Sequence, residues 1–153
     1  MTASPATRSA ADPTSPPVAA PPYAYAYCHG FLSYPRSTKG VHVRKELQHL
    51  ADIELLDLNL PDGSGVVTYA SGLAAIERFL EQQRLLHGHG VKLRLIGSSL
   101  GGYIVARFAE LHPEAVDRIF MLCPAFSIGE RASKFLPPEE MAEWERDGVR
   151  GEL

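Results

Sequence analysis

The sequence predicts an α/β domain built on a parallel sheet with flanking helices. Three observations carry this expectation. Short runs with strand character at 23–28, 53–58, 91–96 and 117–123 alternate with helix-length amphipathic stretches. Those stretches are long enough to return the chain as right-handed crossovers between parallel neighbours. Finally, a glycine-rich turn, Gly97-Ser98-Ser99-Leu100-Gly101-Gly102-Tyr103, joins the third strand run directly to the third helical run.

Taken in order, the elements follow from local chemistry. Residues 1–22 are dominated by Ala, Pro, Ser and Thr, with Arg8 and Asp12 as their only charges. Such a segment buries too little apolar surface to offset its ordering entropy, so a disordered tail is expected, followed by one domain over 23–153. No apolar run follows a basic start, which argues against a secretory signal, and a single arginine argues against a transit peptide. Tyr23-Ala24-Tyr25-Ala26-Tyr27-Cys28 alternates large and small side chains, as a strand packed on both faces does. Val43, Leu47 and Leu50 fall at helical spacing among Lys39, His42, Arg44, Lys45, Glu46 and Gln48, one apolar stripe on a polar helix.

Ile53 to Leu58 reads as the second strand, closed by the turn-rich Leu60-Pro61-Asp62-Gly63-Ser64-Gly65. Leu73, Ile76, Phe79, Leu80, Gln83 and Leu86 mark a longer helix, with Thr68 or Ser71 as its N-cap and Gly88 at its end. Val91 to Ile96 is the third strand, Ile104 to His112 a helix that stops before Pro113, and Asp117 to Cys123 the fourth strand. Beyond Pro124 the pattern loosens. Pro137-Pro138-Glu139-Glu140 opens a short helix with proline and acid at its positive end, and Met141 and Trp144 share one face of it, either as a lid or as plain surface.

Composition bounds the function classes. With 153 residues, 45% hydrophobic and 22% charged, the chain can bury a substantial core in one globular domain. A formal charge of −3 without a basic cluster argues against nucleic acid or an anionic membrane surface as partner. No stretch reaches the roughly 18–20 apolar residues of a membrane span. Cys28 and Cys123 stand alone at strand ends, without metal-type spacing, which predicts free thiols in a reducing, cytoplasmic compartment.

The chemistry concentrates at the turn. A G-x-S-x-G pattern between a strand and a helix is the signature of a nucleophile elbow, in which a sharp turn lifts the serine hydroxyl above the carboxyl edge of a sheet. Ser99 is then the candidate nucleophile, against the bland alternative of an ordinary serine in a glycine-rich turn. A phosphate loop fits poorly, because the P-loop lysine is missing and Gly97, Gly101 and Gly102 do not match G-x-G-x-x-G. The carboxyl end of the first strand, His29-Gly30-Phe31, falls at the same sheet edge. The Leu100 amide, opening a helix, and the Phe31 amide are the candidate donors for an oxyanion.

Tyr27-Cys28-His29-Gly30-Phe31-Leu32-Ser33, followed by Pro35-Arg36-Ser37-Thr38-Lys39 and then by Leu95-Ile96-Gly97-Ser98-Ser99-Leu100-Gly101-Gly102-Tyr103, resembles the α/β-hydrolase superfamily, specifically the small YqiA-like esterases. The resemblance covers residues 23 to about 127, including Cys123-Pro124-Ala125. It implies an α/β-hydrolase-type sheet and a cofactor-free, metal-free serine hydrolase of small carboxylic esters or thioesters. Ser99 would be its nucleophile, Phe31 and Leu100 its oxyanion donors, and His29 and Gly30 its oxyanion loop.

One departure stands against the family pattern. These hydrolases run serine, acid, histidine along the chain. After Ser99 the sequence holds a single histidine, His112, in the helix that the elbow opens. Thirteen residues of helix rise about 20 Å, beyond the reach of Ser99. Asp117 opens a strand and so falls at the opposite sheet edge, and Asp147 belongs to the tail. The expectation is a C-terminally incomplete hydrolase that lacks its acid and histidine in this chain. The alternative is a non-catalytic hydrolase-fold remnant that binds a ligand or partner. In either case an unpaired last strand would expose Ile119 and Met121 and invite pairing with another chain.

The remaining residues have two readings each. Tyr103, Phe31, Leu32 and Tyr34 line an acyl pocket or simply pack. His87-Gly88-His89 is a solvated helix end rather than a metal site, and His42 and His49 lie on a polar face. Ser37 and Lys39 match the family pattern without a mechanism beyond anchoring a loop to a helix.

Overall fold

A computed structural model of the chain describes residues 22–127 and, beyond them, Pro138, Glu139 and Ala142, which are helical and exposed. The expected tail lies outside the described residues except for Pro22, whose carbonyl accepts a hydrogen bond from the Lys92 amide. Met141, Trp144 and Asp147 also lie outside them.

The elements run β1 (Tyr23–Cys28), α1 (Thr38–Leu47), β2 (Ile53–Leu56), α2 (Tyr69–His87), β3 (Lys92–Ser98), α3 (Leu100–Leu111) and β4 (Val116–Leu122). All strand pairs are parallel and the sheet order is β2-β1-β3-β4. The chain therefore starts in the middle of the sheet, winds to one edge and crosses back over β1 to build the other side. This reversal opens the carboxyl ends of β1 and β3 to the same space, the crevice where doubly wound sheets place their chemistry.

Side-chain alternation divides the sheet into two faces. Ala24, Ala26, Cys28, Leu93 and Leu95 join Ile76, Phe79, Leu80, Ile104, Val105 and Phe108 of α2 and α3 in the main core. On the other face Tyr27, Ile53 and Leu55 form a smaller cluster, against which Val43 and Leu47 of α1 pack. The small alanines of β1 face the two-helix side and its tyrosines face α1, which explains the large-small alternation.

Helix boundaries follow their caps. Thr68 caps α2 by accepting from the Ser71 amide while the Ser71 hydroxyl accepts from the Thr68 amide, a reciprocal capping box. Gly88, at φ 85, ends it. Ser37 caps α1 by accepting from the Gly40 amide.

Three expectations are corrected. Leu50 does not extend the stripe of α1: the helix ends at Leu47, and Leu50 is exposed in the following turn. Leu86 is likewise exposed, because the 19 residues of α2 outrun strands of 4–7 residues. On β4, an edge strand among the described residues, Ile119 and Met121 turn inward against the main core. Phe120, on the opposite face, is the exposed one at 62%. That face also carries Arg94, whose Nε donates to Asp117 at 2.7 Å, whose terminal N–H donates to the Tyr25 hydroxyl at 2.8 Å, and whose guanidinium lies 3.5 Å from the Tyr23 ring centroid.

Candidate active site

Ser99 occupies the junction between β3 and α3 with φ 53 and ψ −120, a conformation L-residues rarely adopt. Three sets of contacts hold it there. Its amide donates to Leu122 O, at the end of β4, at 2.9 Å. Its carbonyl accepts from the amides of Gly102, Tyr103 and Ala125. The flanking glycines remove the steric obstacles: a Cβ on Gly97 would stand 2.4 Å from the Gly101 carbonyl oxygen, and one on Gly101 would stand 2.3 Å from that of Cys28. The tight turn and the close approach of α3 to the end of β1 thus both require glycine.

The Ser99 side chain makes no capping bond to α3 and lines a cleft of about 420 Å³. The loop after β1 forms the facing wall. A Cβ on Gly30 would lie 3.2 Å from Ser99 Cβ and 3.7 Å from its Oγ, so this loop lies directly against the serine. Phe31, half-buried, and the exposed Leu32 and Tyr34 continue the wall. Leu100 opens α3, and the first amides of a helix have no partner within the helix. The positive end of its dipole therefore falls beside Ser99.

His29 holds the loop. It is fully buried; its Nε2 accepts from the Leu58 amide at 3.1 Å, and its Nδ1–H donates to Gly30 O at 2.9 Å. These bonds define a neutral tautomer with the proton on Nδ1. Asp57 Oδ1 lies 3.5 Å from Nε2. With both ring nitrogens committed to the backbone, His29 shapes the loop and does not present a free nitrogen to Ser99.

The other sequence-predicted residues divide clearly. Tyr103 is not among the residues of this cleft; it packs between Tyr69 and Phe126, with ring centroids 6.2 and 6.1 Å away. His112 caps the far end of α3, its ring 4.6 Å from that of Phe108 and beside Glu77 and Glu114. Asp117 lies at the amino end of β4 in its pair with Arg94. Hydrogen bonds from Arg94, and then from Arg118, hold its carboxyl below the usual range. Among the described residues no His, Cys, Asp or Glu cluster stands ready to hold a metal ion, and no helix is long and apolar enough to cross a membrane.

Sequence reasoning gave no mechanism to one group. Lys39, in the first turn of α1, donates from Nζ to Ser98 Oγ at 2.9 Å and lines the same cleft. Tyr27 lines the cleft beside them, and burial pushes its phenol up, opposed by the neighbouring Ser98 and Ser37 hydroxyls. The family pattern singled out Ser37 and Lys39, but only the fold brings them to the residue preceding Ser99.

The family model described as "Uncharacterised protein family (UPF0227)" matches residues 24–152. A comparison with curated proteins finds no match. Among solved structures, an extracellular α/β-hydrolase from a Paenibacillus species, described as sharing structural and functional homology with tobacco salicylic acid binding protein 2, superposes with a TM-score of 0.57 at 17% identity. It is covered over 50% of its length by 82% of this chain. The monoacylglycerol lipase of Paleococcus ferrophilus gives a TM-score of 0.57 at 20% identity, with 82% of this chain and 46% of that one covered. The lipase BlEst2 of Bacillus licheniformis gives 0.53 at 20% identity, with 90% and 54% covered. The chain thus spans about half the length of the solved structures it matches, and it shares with them the α/β-hydrolase fold.

Proposed function

The chain belongs to the UPF0227 family and carries the α/β-hydrolase fold, and from that premise we propose a serine hydrolase acting on small carboxylic esters or thioesters. Ser99 Oγ adds to the acyl carbon while the amides of Leu100 and Phe31 stabilise the resulting oxyanion. The C–O or C–S bond then breaks, and the alcohol or thiol leaves with the proton that Ser99 gave up. Water repeats the sequence on the acyl-serine and releases the carboxylic acid, with no cofactor or metal. The reaction needs neither nucleic acid nor a membrane surface, and its setting is the cytoplasm.

The observation that supports this reading most is Ser99 at φ 53 between strand and helix, with Gly30 of the opposing loop against it. This reading assigns the role of proton acceptor to no histidine among the described residues. Within them His29 has both nitrogens engaged and His112 caps the remote end of α3. The same observation favours a second reading, a hydrolase-like fold that binds its ligand without turnover. Losing the histidine of such a site costs about 10⁶ in turnover.

Fluorophosphonate labelling read by intact mass separates the two. Under the first reading, Ser99 labels slowly in the 153-residue chain and not at all as Ser99→Ala. Absence of labelling in every form supports the second reading and removes the first.

A further inference from the structure

The cleft beside Ser99 is electrostatically one-sided. Its charged lining residue is Lys39, and no carboxylate lines it or pairs with Lys39 among the described residues, although the chain as a whole is acidic at −3. Lys39 also stands where its own helix disfavours it. The first turn of α1 carries no acid, and a cation there opposes the helix dipole. A residue chosen only to support α1 would be Asp or Glu. What holds Lys39 in place is a hydrogen bond across 59 residues of sequence to Ser98 Oγ, whose residue is 3% exposed and immediately precedes the nucleophile candidate.

The surroundings complete a receptor for negative charge. Among the described residues Ser98 engages one of the three N–H donors of the ammonium, and the other two can serve a ligand. Tyr27 lines the same cleft beside Ser98, the serine that holds Lys39. Ser37, Thr38 and Tyr34 line the same cleft. The exposed Lys39 side chain gives the ligand's charged group an approach from solvent, so only its acyl carbon has to reach Ser99.

We infer that Lys39 is a specificity-determining residue that selects substrates bearing a second, anionic oxygen group, a carboxylate or phosphate, a few bonds from the acyl carbon. This rests on the reading of Ser99 as the reacting residue and narrows its substrate class. The ammonium acts on binding; the bond-making step stays with Ser99 and the two amides.

The test uses the Ser99→Ala chain, so that no result depends on turnover, and follows ligand binding by NMR titration at low salt. Monomethyl succinate against methyl butyrate tests a carboxylate on the acyl side. 2-Acetoxyethyl phosphate against ethyl acetate tests a phosphate on the leaving side. A charge-assisted hydrogen bond to Lys39 predicts about tenfold tighter binding of the anion in at least one pair. The preference should vanish in Lys39→Met, remain largely intact in Lys39→Arg, and shrink as salt is raised.

Equal affinities in both pairs, binding of neither anion, or a preference that survives Lys39→Met would overturn the inference. If Lys39→Met does not fold, the salt dependence and the arginine variant decide. Fluorophosphonate labelling of the unsubstituted protein tests the Ser99 reading separately, because that neutral probe makes no demand on Lys39.

Discussion

The Leu58 amide donates a hydrogen bond to Nε2 of His29 at 3.1 Å, and both residues are completely buried. This bond ties the loop that faces Ser99 to the segment following β2. His29→Leu would leave the Leu58 N–H without its acceptor, a loss of about 1–3 kcal/mol that urea unfolding should detect. Labelling of Ser99 should slow as well, because Gly30, next to the imidazole, sets the approach of the loop. His29→Gln, which retains an acceptor, should recover part of both effects.

Gly101 admits no side chain. A Cβ there meets the carbonyl oxygens of Cys28 and His29 at 2.3 and 2.4 Å, and these are backbone atoms that cannot swing aside. Gly101→Ala should destabilise the fold by at least about 2 kcal/mol, measured as a lowered denaturation midpoint with unchanged slope.

The strain at Ser99 predicts a trade between stability and chemistry. Glycine adopts φ 53 without the penalty that a Cβ imposes. Ser99→Gly should therefore raise stability by about 1 kcal/mol, after allowing for the extra freedom of the unfolded chain, while abolishing fluorophosphonate labelling. A substantial loss of stability would mean that the serine side chain supports the turn it strains.

Asp117 makes stability depend on acid. Its carboxyl is held below the usual range by hydrogen bonds from Arg94 and then Arg118. A depressed folded-state value means the contribution is present above the unfolded carboxylate value, about 3.9, and is lost as pH falls through the lower folded value. Asp117→Asn should thus lower the melting temperature at neutral pH, and the gap to the unsubstituted chain should close below about pH 4. Thermal melts across pH 2–8 check the sign.

The two thiols should react differently. Cys28 is completely buried, and burial alone pushes its thiol up to about 12, whereas Cys123 is exposed. At pH 8 a thiol reagent should modify Cys123 in the native protein and reach Cys28 only on unfolding, giving one equivalent before denaturant and two after. Two native equivalents would show that the end of β1 opens.

Local signals in the sequence were legible because their physics is local. The Thr68 and Ser71 caps, the Gly88 stop and the strand-to-helix turn at Ser99 each depend on groups within a few residues. The stripe extensions to Leu50 and Leu86 failed for the complementary reason: periodicity marks a face but does not say where the sheet beneath it ends. At β4, alternation required either the set of Ile119 and Met121 or the set containing Phe120 to face inward. Packing against α2 and α3 selected the first.

The sequence by itself thus determined the alternation of strands and helices, the strand-to-helix turn with Ser99 at its apex, and the place of His112 in the helix that this turn opens. The tertiary structure alone decided the order β2-β1-β3-β4, the locking of His29 by Leu58 and the meeting of Lys39 with Ser98. Backbone conformation and capping are set by neighbours along the chain. Contacts across 29 and 59 residues exist only once parallel register has brought the strand ends together, and no pattern along the chain encodes that distance directly.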